Sequence, residues 1–194
     1  MQRKTLAMAA ASTLFASFGC AAADENIEKV TVKPEKILIA YFSYSGNTRY
    51  AAEQIKKNTG GTLFEIKPEK AYPADYSTCV AQARKECGSG FKPKLAATVK
   101  DMERYDVIFI GSPNWCSTLA PPVLSFLSAY DFSGKTVILF VTHGGGGMAN
   151  CEKDFRKACP KANILKGKNF SGSSIRKADS ELKKFVNDRV IIKQ

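Results

Sequence analysis

The chain has 194 residues, of which 44% are hydrophobic and 24% charged, the composition of a globular protein with one sizeable core. This composition excludes a disordered chain, a collagen-like chain and a small scaffold held mainly by disulfides. The 29 basic residues outnumber the 18 acidic ones and give a formal net charge of +11. Because no run of about 18 apolar residues is present, the sequence predicts no membrane-spanning helix.

The N-terminal segment 1–23 is typical of a secretory signal peptide. Two basic residues precede the uncharged segment 6–18, and small residues follow it. Cys20 and the glycine before it also resemble a bacterial lipoprotein site, although Ser17 stands where that pattern usually has leucine. We therefore expect an exported protein, either periplasmic or anchored to the envelope by lipid at Cys20. A membrane is an expected partner only in the lipidated case.

The polar segment 24–35, interrupted by Pro34, is interpreted as a tether, and 36–194 as one domain. In this domain, apolar runs typical of strands buried on both faces alternate with segments of helical pattern. The predicted strands are 36–43, 62–66, 106–112, 136–142 and 163–170, and the predicted helices are 47–57, 77–86, 121–127, 150–158 and 182–190. This alternation predicts an α/β fold, a doubly wound five-stranded parallel sheet between two helical layers in a three-layer sandwich.

Three loops of the predicted fold meet at one edge of the sheet, where ligands bind beyond the carboxyl ends of the strands. These loops follow Ser43, Ser112 and Thr142. In the first loop, Gly46 permits a tight turn, and the next helix begins with free backbone N–H groups and a partial positive charge. The first loop is therefore predicted to bind a phosphate group.

An ordinary helix cap by Ser45 or Asn47 is the alternative to phosphate binding. A helix cap uses a single side chain, so capping alone does not explain why Ser43, Ser45 and Thr48 all carry hydroxyl groups. Neither the nucleotide-hydrolase loop G-x-x-x-x-G-K-[ST] nor the dinucleotide fingerprint G-x-G-x-x-G is present at this strand end. The loop also has no cysteine, which argues against a cysteine phosphatase.

The three loops together resemble those of flavodoxins, which hold flavin mononucleotide (FMN). The resemblance covers about 36–190 and includes the segment 71–76, which is similar to a flavodoxin-like subfamily. It rests on the motifs Ser43-x-Ser45-Gly46-Asn47-Thr48, Gly111-Ser-Pro-Asn-Trp115 and Thr142-His-Gly-Gly-Gly-Gly147. It implies that FMN is the cofactor and that three groups of residues bind it: Ser43, Tyr44, Ser45, Gly46, Asn47 and Thr48 in the phosphate loop; Pro113, Asn114, Trp115 and Cys116 on one side of the flavin ring; and Thr142, His143, Gly144, Gly145 and Gly146 along its other edge.

Two residues of these loops occur only once in the sequence. Trp115 is expected to contact the flavin because it follows Pro113 and Asn114 in the second motif. For His143, two roles stay open, because an imidazole either moves a proton near neutral pH or serves as a structural residue of the loop. Cys116 stands where the subfamily commonly has a second aromatic residue.

The cysteines permit a geometric argument. Cys79 and Cys87 are eight residues apart on one predicted helix, and so are Cys151 and Cys159. Eight helical residues rise about 12 Å, whereas a disulfide needs Cα atoms within about 7 Å, so neither pair is expected to close. We expect Cys79, Cys116 and Cys151 near the ligand edge, with one disulfide among them, and the other two cysteines far from it. The single histidine and the dispersed cysteines predict no metal site.

The resemblance implies electron transfer to a protein partner as the leading function. A second hypothesis is a nicotinamide-dependent reductase of quinones or small molecules, whose pocket Tyr44, Trp115 and the loop 68–76 would build. A third is a non-redox binding module that has lost its flavin. Whether the protein is an enzyme therefore stays open. The basic charge favours an acidic redox partner over nucleic acid, which export argues against.

Overall fold

Parallel strands with apolar side chains on both faces form the centre of the computed structural model, which describes residues 29–193. The strands are β1 (Val30–Val32), β2 (Ile37–Tyr41), β3 (Thr62–Glu65), β4 (Val107–Trp115), β5 (Thr118–Leu119), β6 (Thr136–His143), β7 (Asn163–Ser171) and β8 (Val190–Ile192). The α-helices are α1 (Asn47–Thr59), α2 (Tyr76–Ser89), α3 (Pro121–Ala129), α4 (Cys151–Ala158) and α5 (Asp179–Asn187). Five parallel strands pair in the order β3–β2–β4–β6–β7, and helices cover both faces, which confirms the predicted doubly wound three-layer fold.

Alternate residues of the central strands enter two separate cores. In β2, Leu38 and Ala40 pack into the core beneath α3 and α4, whereas Ile37 and Ile39 pack into the core beneath α1 and α5. Successive side chains of a strand point to opposite faces, so a strand covered on both faces must be apolar throughout. This requirement explains why the apolar runs in the sequence located the strands.

The helices begin and end at residues with recognisable capping chemistry. Asp75 accepts a hydrogen bond from the Thr78 N–H at 2.8 Å and so caps α2. Hydrogen bonds from Thr78 and Ser77 lower the pKa of the Asp75 carboxyl to about 2. The left-handed backbone of Gly60 ends α1, and that of Gly90 ends α2. Both helices are longer than the sequence predicts, since each continues to its capping glycine.

A short strand pair outside the main sheet joins the two ends of the described chain. β1 pairs in parallel with β8 along all three of its residues, and Val32 is buried in the same core as α1 and α5. The predicted tether over 24–35 is therefore wrong for residues 30–32. Their alternating valines pair with β8, which lies at the other end of the domain sequence. A local sequence pattern does not reveal such a distant partner. Pro34 begins a short 3-10 turn that leads into β2.

The last predicted helix, 182–190, combines residues of two elements. α5 buries Leu182, Phe185 and Val186 as its pattern indicates, but it ends at Asn187. Val190 belongs to β8 and is buried against β1 instead. Its spacing from Val186 imitates one further helical turn, which is why the pattern extended the helix too far.

The predicted export signal lies outside the described residues. The signal peptide 1–23, the candidate lipidation site Cys20 and the tether residues 24–28 all precede residue 29, and they stay predictions. Within 29–193, none of the helices combines the length and the apolar character that crossing a bilayer demands.

Gly111 in β4 provides a test of how tightly the sheet is packed. A Cβ atom at this position would lie 2.3 Å from Cζ of Phe140 and 2.8 Å from Cβ of Tyr41. We predict that Gly111→Ala lowers the free energy of unfolding by about 1–3 kcal/mol, because the neighbouring side chains must move apart. Urea denaturation followed by far-ultraviolet circular dichroism measures this change.

Gly88→Ala is the matched control for this substitution. Gly88 lies inside α2, and apart from its chain neighbours and the backbone of its own helix no atom is within 4 Å of the position that its Cβ would take. Alanine there should raise the free energy of unfolding by about 0.5–1 kcal/mol, because it favours the helix over the unfolded chain. If Gly111→Ala were as stable as the wild type, the close packing of β4 against β6 would be contradicted.

Candidate functional site

The first loop connects β2 to α1 and leaves the start of that helix uncapped. Gly46 has a φ of +87°, the left-handed conformation that favours glycine. Its N–H donates to Oγ of Ser43 at 3.1 Å, which closes the turn. No side chain among the described residues caps α1, so the alternative role of Ser45 or Asn47 as a cap is not observed. The backbone N–H groups that open α1 are therefore directed toward the sheet edge without a side-chain acceptor.

A buried hydrogen bond joins the first loop to the third. Oγ1 of Thr48, in the first turn of α1, lies 2.8 Å from Oγ1 of Thr142, near the end of β6. Both residues are buried. Two hydroxyl groups carry two protons, and one hydrogen bond uses only one of them. The pair therefore fixes the distance between the loops and keeps one O–H for a further acceptor.

The second motif lies on a strand and a tight hairpin, not in an open loop. β4 continues beyond the predicted end at residue 112, because Pro113 pairs with Thr142 of β6 and Trp115 pairs with Thr118 of β5. Cys116 and Ser117 form the two-residue turn, with φ values of +52° and +64°. Positive φ at both central residues is the geometry of the hairpin turn whose twist matches the flanking strands. The hairpin thus holds Trp115 and Cys116 in fixed positions.

Trp115 lies within a cluster of aromatic rings. Its ring centroid is 5.4 Å from Phe42, 5.9 Å from Tyr44 and 4.9 Å from Tyr72, all with edge-to-face geometry. The Tyr44 hydroxyl donates to the Pro73 carbonyl oxygen at 2.8 Å, which ties the first loop to the segment after β3. The cluster therefore places the tryptophan beside the first loop and gives it several packing partners of its own, while its contact with the flavin stays a prediction.

A cavity of about 250 Å³ opens beside this cluster. It is lined by aromatic, thiol and cationic side chains, among them Tyr44, Tyr76, Cys79, Arg84, Trp115 and Cys116. Tyr76 and Arg84 are exposed at its rim. Nearby, burial and the Glu86 carboxylate raise the pKa of Tyr72, whose hydroxyl donates to Glu86 at 2.5 Å. The cavity is therefore apolar at its wall and basic at its rim.

His143 uses both of its ring nitrogens within the third loop. Nδ1 accepts a hydrogen bond from the Gly145 N–H at 3.1 Å, so the ring proton lies on Nε2. Nε2 is 3.1 Å from Oδ1 of Asn169 in β7 and donates to it. These contacts favour the structural role of His143 over proton transfer, since neither nitrogen is left for a substrate.

Asn114 joins the second motif to the third loop. Its side-chain amide donates to the Gly147 carbonyl oxygen at 2.9 Å. A Cβ atom on Gly146 would lie 3.2 Å from the same amide nitrogen, so a side chain at that position would crowd this contact. Gly144 and Gly145 have open space around them instead. The glycine-rich loop is therefore anchored at one end and accessible in its middle.

A fourth segment, which the sequence analysis missed, completes the edge. The Gly172 N–H, just after β7, donates to the His143 carbonyl oxygen at 2.8 Å. Arg176 packs over the ring of Tyr50 in α1 at 4.3 Å, and its Nη2 lies 3.8 Å from where a Cβ on Gly46 would be. A guanidinium group therefore stands beside the predicted phosphate loop. The Ser–Gly–Ser–Ser sequence at 171–174 follows a predicted strand that ends at the same edge. This sequence could have indicated a fourth loop at the site.

The cysteines differ from the prediction in two respects. The disulfide expected among Cys79, Cys116 and Cys151 is not formed in this structure, and Cys87 lies near the site. All five cysteines of the described chain are free thiols, and neither Cys79–Cys87 nor Cys151–Cys159 is bridged. Cys87, expected far from the site, has its Sγ 4.0 Å from the Trp115 carbonyl oxygen. It reaches this position because α2 packs against the extended end of β4, which the sequence analysis had ended three residues earlier.

A family model described as "Flavodoxin" matches residues 36–189. The chain belongs to the flavodoxin family. This membership agrees with the sheet order and with the position of the site at the carboxyl ends of the strands. The resemblance that the three loop motifs indicated is therefore confirmed.

Several solved structures of flavodoxin-like proteins are similar to this chain. A protein from Bacteroides uniformis, provisionally assigned as a flavoprotein, is 33% identical over 80% of this chain and 99% of its own, with a TM-score of 0.71. A similarly assigned protein from Bacteroides eggerthii is 29% identical over 76% and 97%, with a TM-score of 0.65. A flavoprotein from Lactobacillus acidophilus, solved in complex with FMN, is 28% identical over 74% and 97%, with a TM-score of 0.62. No curated protein matches the chain at a significant level.

The buried threonine pair in this flavodoxin fold can be tested by substitution. We predict that Thr48→Val lowers the free energy of unfolding by about 1–3 kcal/mol, because it leaves the buried Thr142 hydroxyl without its partner. The double variant Thr48→Val/Thr142→Val should lose less than the sum of the two single variants. Urea denaturation of all four proteins measures the coupling. Strict additivity would contradict a hydrogen bond between these residues.

Proposed function

We propose that the protein binds FMN at this edge of the sheet and transfers electrons to a protein partner. The observation that carries the proposal is the uncapped start of α1, which follows the left-handed Gly46 and faces Arg176. Free N–H groups at a helix start and a neighbouring guanidinium together suit a phosphate monoester. The FMN complex of the similar protein from Lactobacillus acidophilus supports the same ligand for this chain.

Different residues of this edge would bind different parts of FMN. Ser43, Ser45 and the first turn of α1, with Asn47 and Thr48, would bind the phosphate. The flavin ring would lie between the second motif, with Trp115, and the third loop at 143–146. Gly144 and Gly145 leave space for close backbone approach of a flat ring there. When bound, FMN supplies reversible uptake and release of electrons, and the protein supplies orientation and shielding.

The open shape of the cavities beside the first loop supports an electron carrier, because pockets for small organic substrates enclose most of the substrate. One cavity, of about 250 Å³, is lined by Tyr44 and Trp115, and another, of about 310 Å³, by Ser43, Tyr44 and Tyr72. A reductase of small molecules is the second candidate, because Tyr76, Arg84 and Trp115 give the first of these cavities an aromatic wall and a cationic rim. A protein partner needs no enclosed pocket and docks on the exposed edge.

Charge supports an acidic partner for this edge. Arg84 at the cavity rim, and Arg176 and Lys177 beside the first loop, are exposed cations. Complementary charge across an interface speeds association and fixes its orientation. We also propose that the protein acts after export, in the periplasm or on a lipid anchor at Cys20, because the segment 1–23 has the pattern of a signal peptide.

Substitution of Gly46 tests the FMN site. Valine is strained at the φ of +87° and would place its methyl groups where the phosphate approaches. We predict that Gly46→Val weakens FMN binding at least about tenfold, or 1.4 kcal/mol, measured by quenching of flavin fluorescence. Riboflavin, which lacks the phosphate, should lose much less affinity.

Gly134→Val is the control for this experiment. Gly134 has a φ of +72° and open space around it, but it lies in the turn before β6, at the opposite edge of the sheet. It therefore introduces similar backbone strain without touching the proposed site. Equal FMN affinity in the wild type and Gly46→Val, or an equal loss in both variants, would contradict the assignment of the phosphate loop.

Steady-state kinetics separates the carrier from the reductase. We predict that FMN-loaded protein oxidises NADH or NADPH with quinones at well below about one turnover per second, the lower end of ordinary enzyme rates. Free FMN at the same concentration is the control, because free flavin also reacts slowly. Saturable turnover at an ordinary enzyme rate would overturn the carrier and establish the reductase, with FMN binding itself unaffected.

A further inference from the structure

Two cysteines from separate elements meet beside the second motif. Cys87 lies in the last turn of α2, and Cys116 occupies the hairpin turn between β4 and β5. Sγ of Cys87 is 4.0 Å from the carbonyl oxygen of Trp115, the residue that precedes Cys116. This contact places the Cys87 thiol directly beside the hairpin turn that holds Cys116.

The two thiols differ in accessibility. Cys116 is exposed at the tip of the hairpin, and Cys87 is half-buried beneath it. Burial, together with the Cys116 thiol, raises the pKa of Cys87 to about 12. Cys116 is therefore the thiol that a soluble reagent reaches, and Cys87 is the thiol positioned to react with it afterwards.

The other three cysteines are buried in the described structure. Cys79 lines the cavity beside Tyr44, and Cys151 and Cys159 lie in the core around α4. Burial raises the pKa of Cys151 to about 12 and that of Cys159 to about 11. These three thiols are at most 3% exposed, so a disulfide in solution does not reach them. Cys116 is exposed and lies beside the half-buried Cys87, which makes this pair the accessible one.

We propose that Cys87 and Cys116 form a reversible disulfide by exchange with the disulfide of a small thiol or of a protein. The Cys116 thiolate attacks one sulfur of the incoming disulfide, which releases the first thiol and leaves a mixed disulfide on Cys116. Cys87 then gives up its proton and attacks the Cys116 sulfur, which releases the second thiol. Two protein thiols are oxidised, the incoming disulfide is reduced to two thiols, and no cofactor is consumed.

The hairpin geometry gives this pair a link to the proposed FMN site. The disulfide would connect the end of α2 to the turn that follows Trp115, so its formation would fix the aromatic side of the site. The proposal goes beyond FMN binding and does not depend on it, because the exchange needs only the two thiols and an external disulfide. Failure of one proposal therefore leaves the other standing.

The sequence makes a direct experiment possible, because cleavage after lysine and arginine separates the five cysteines of residues 29–193 from one another. They fall in peptides 71–84, 86–94, 105–135, 136–153 and 158–161. The purified protein is equilibrated with mixtures of reduced and oxidised glutathione at mildly alkaline pH, quenched with acid, alkylated and digested. We expect peptide 86–94 linked to peptide 105–135 as the main oxidised product. Dithiothreitol should reverse the link.

Two variants test the order of the steps. Cys87→Ser should accumulate one glutathione on Cys116, because the mixed disulfide has no second thiol to resolve it. Cys116→Ser should leave Cys87 as a free thiol under the same conditions, because it is half-buried. The same treatment in guanidinium chloride is the control, in which the five cysteines of residues 29–193 should react without selectivity.

Several results would overturn the proposal. The proposal is wrong if the wild type gives no linked peptide in any glutathione mixture, or if its main link joins Cys116 to Cys79. It is also wrong if Cys87 in the Cys116→Ser variant takes up as much glutathione as Cys116 does in the Cys87→Ser variant. The linked peptide is measured in the unsubstituted protein, so a variant that folds poorly does not remove the test.

Discussion

Burial of the central strands on both faces is the constraint on which the rest of the structure depends. β2, β4 and β6 run between two layers of helices, and nearly every residue along them is inaccessible to water. Polar side chains are costly in such positions, and the few buried ones of β4 and β6 are the hydroxyl residues Ser112, Thr136 and Thr142. The first polar residues with access to a ligand come where the strands end, and parallel strands end together. The location of the site thus follows from the packing.

Hydrogen bonds between the loops turn this edge into one unit. Thr48 holds Thr142, Asn114 holds the glycine-rich loop, and the His143 carbonyl holds the segment after β7. Each bond connects residues distant in sequence, so the loops support each other. A site arranged in advance loses less conformational entropy when its ligand binds. In the same way, both ring nitrogens of His143, the single histidine of the sequence, form hydrogen bonds that hold the third loop in place.

The sequence predicted the elements whose signals are local. Continuous apolar runs located the three central strands of the main sheet, and glycine with hydroxyl residues located the first loop. The misses depend on contacts between distant segments. The strand at 30–32 exists because the chain returns to it near residue 190, and Cys87 lies at the site because α2 packs against a longer β4. Arg176 contributes to the edge only through its stacking on Tyr50, which no pattern within one segment shows.

The terminal strand pair determines how the molecule faces its surroundings. β1 leads into β2 from below the sheet, where Pro34 lies against Gly60 at the end of α1, and β8 follows the end of α5. The chain therefore enters and leaves the domain at the edge opposite the three loops. A molecule held to a surface through the residues before Val30 would turn its ligand-binding edge outward. The point of attachment and the ligand-binding edge would then lie on opposite sides of the domain. A partner would reach the ligand-binding edge without contacting the attached segment.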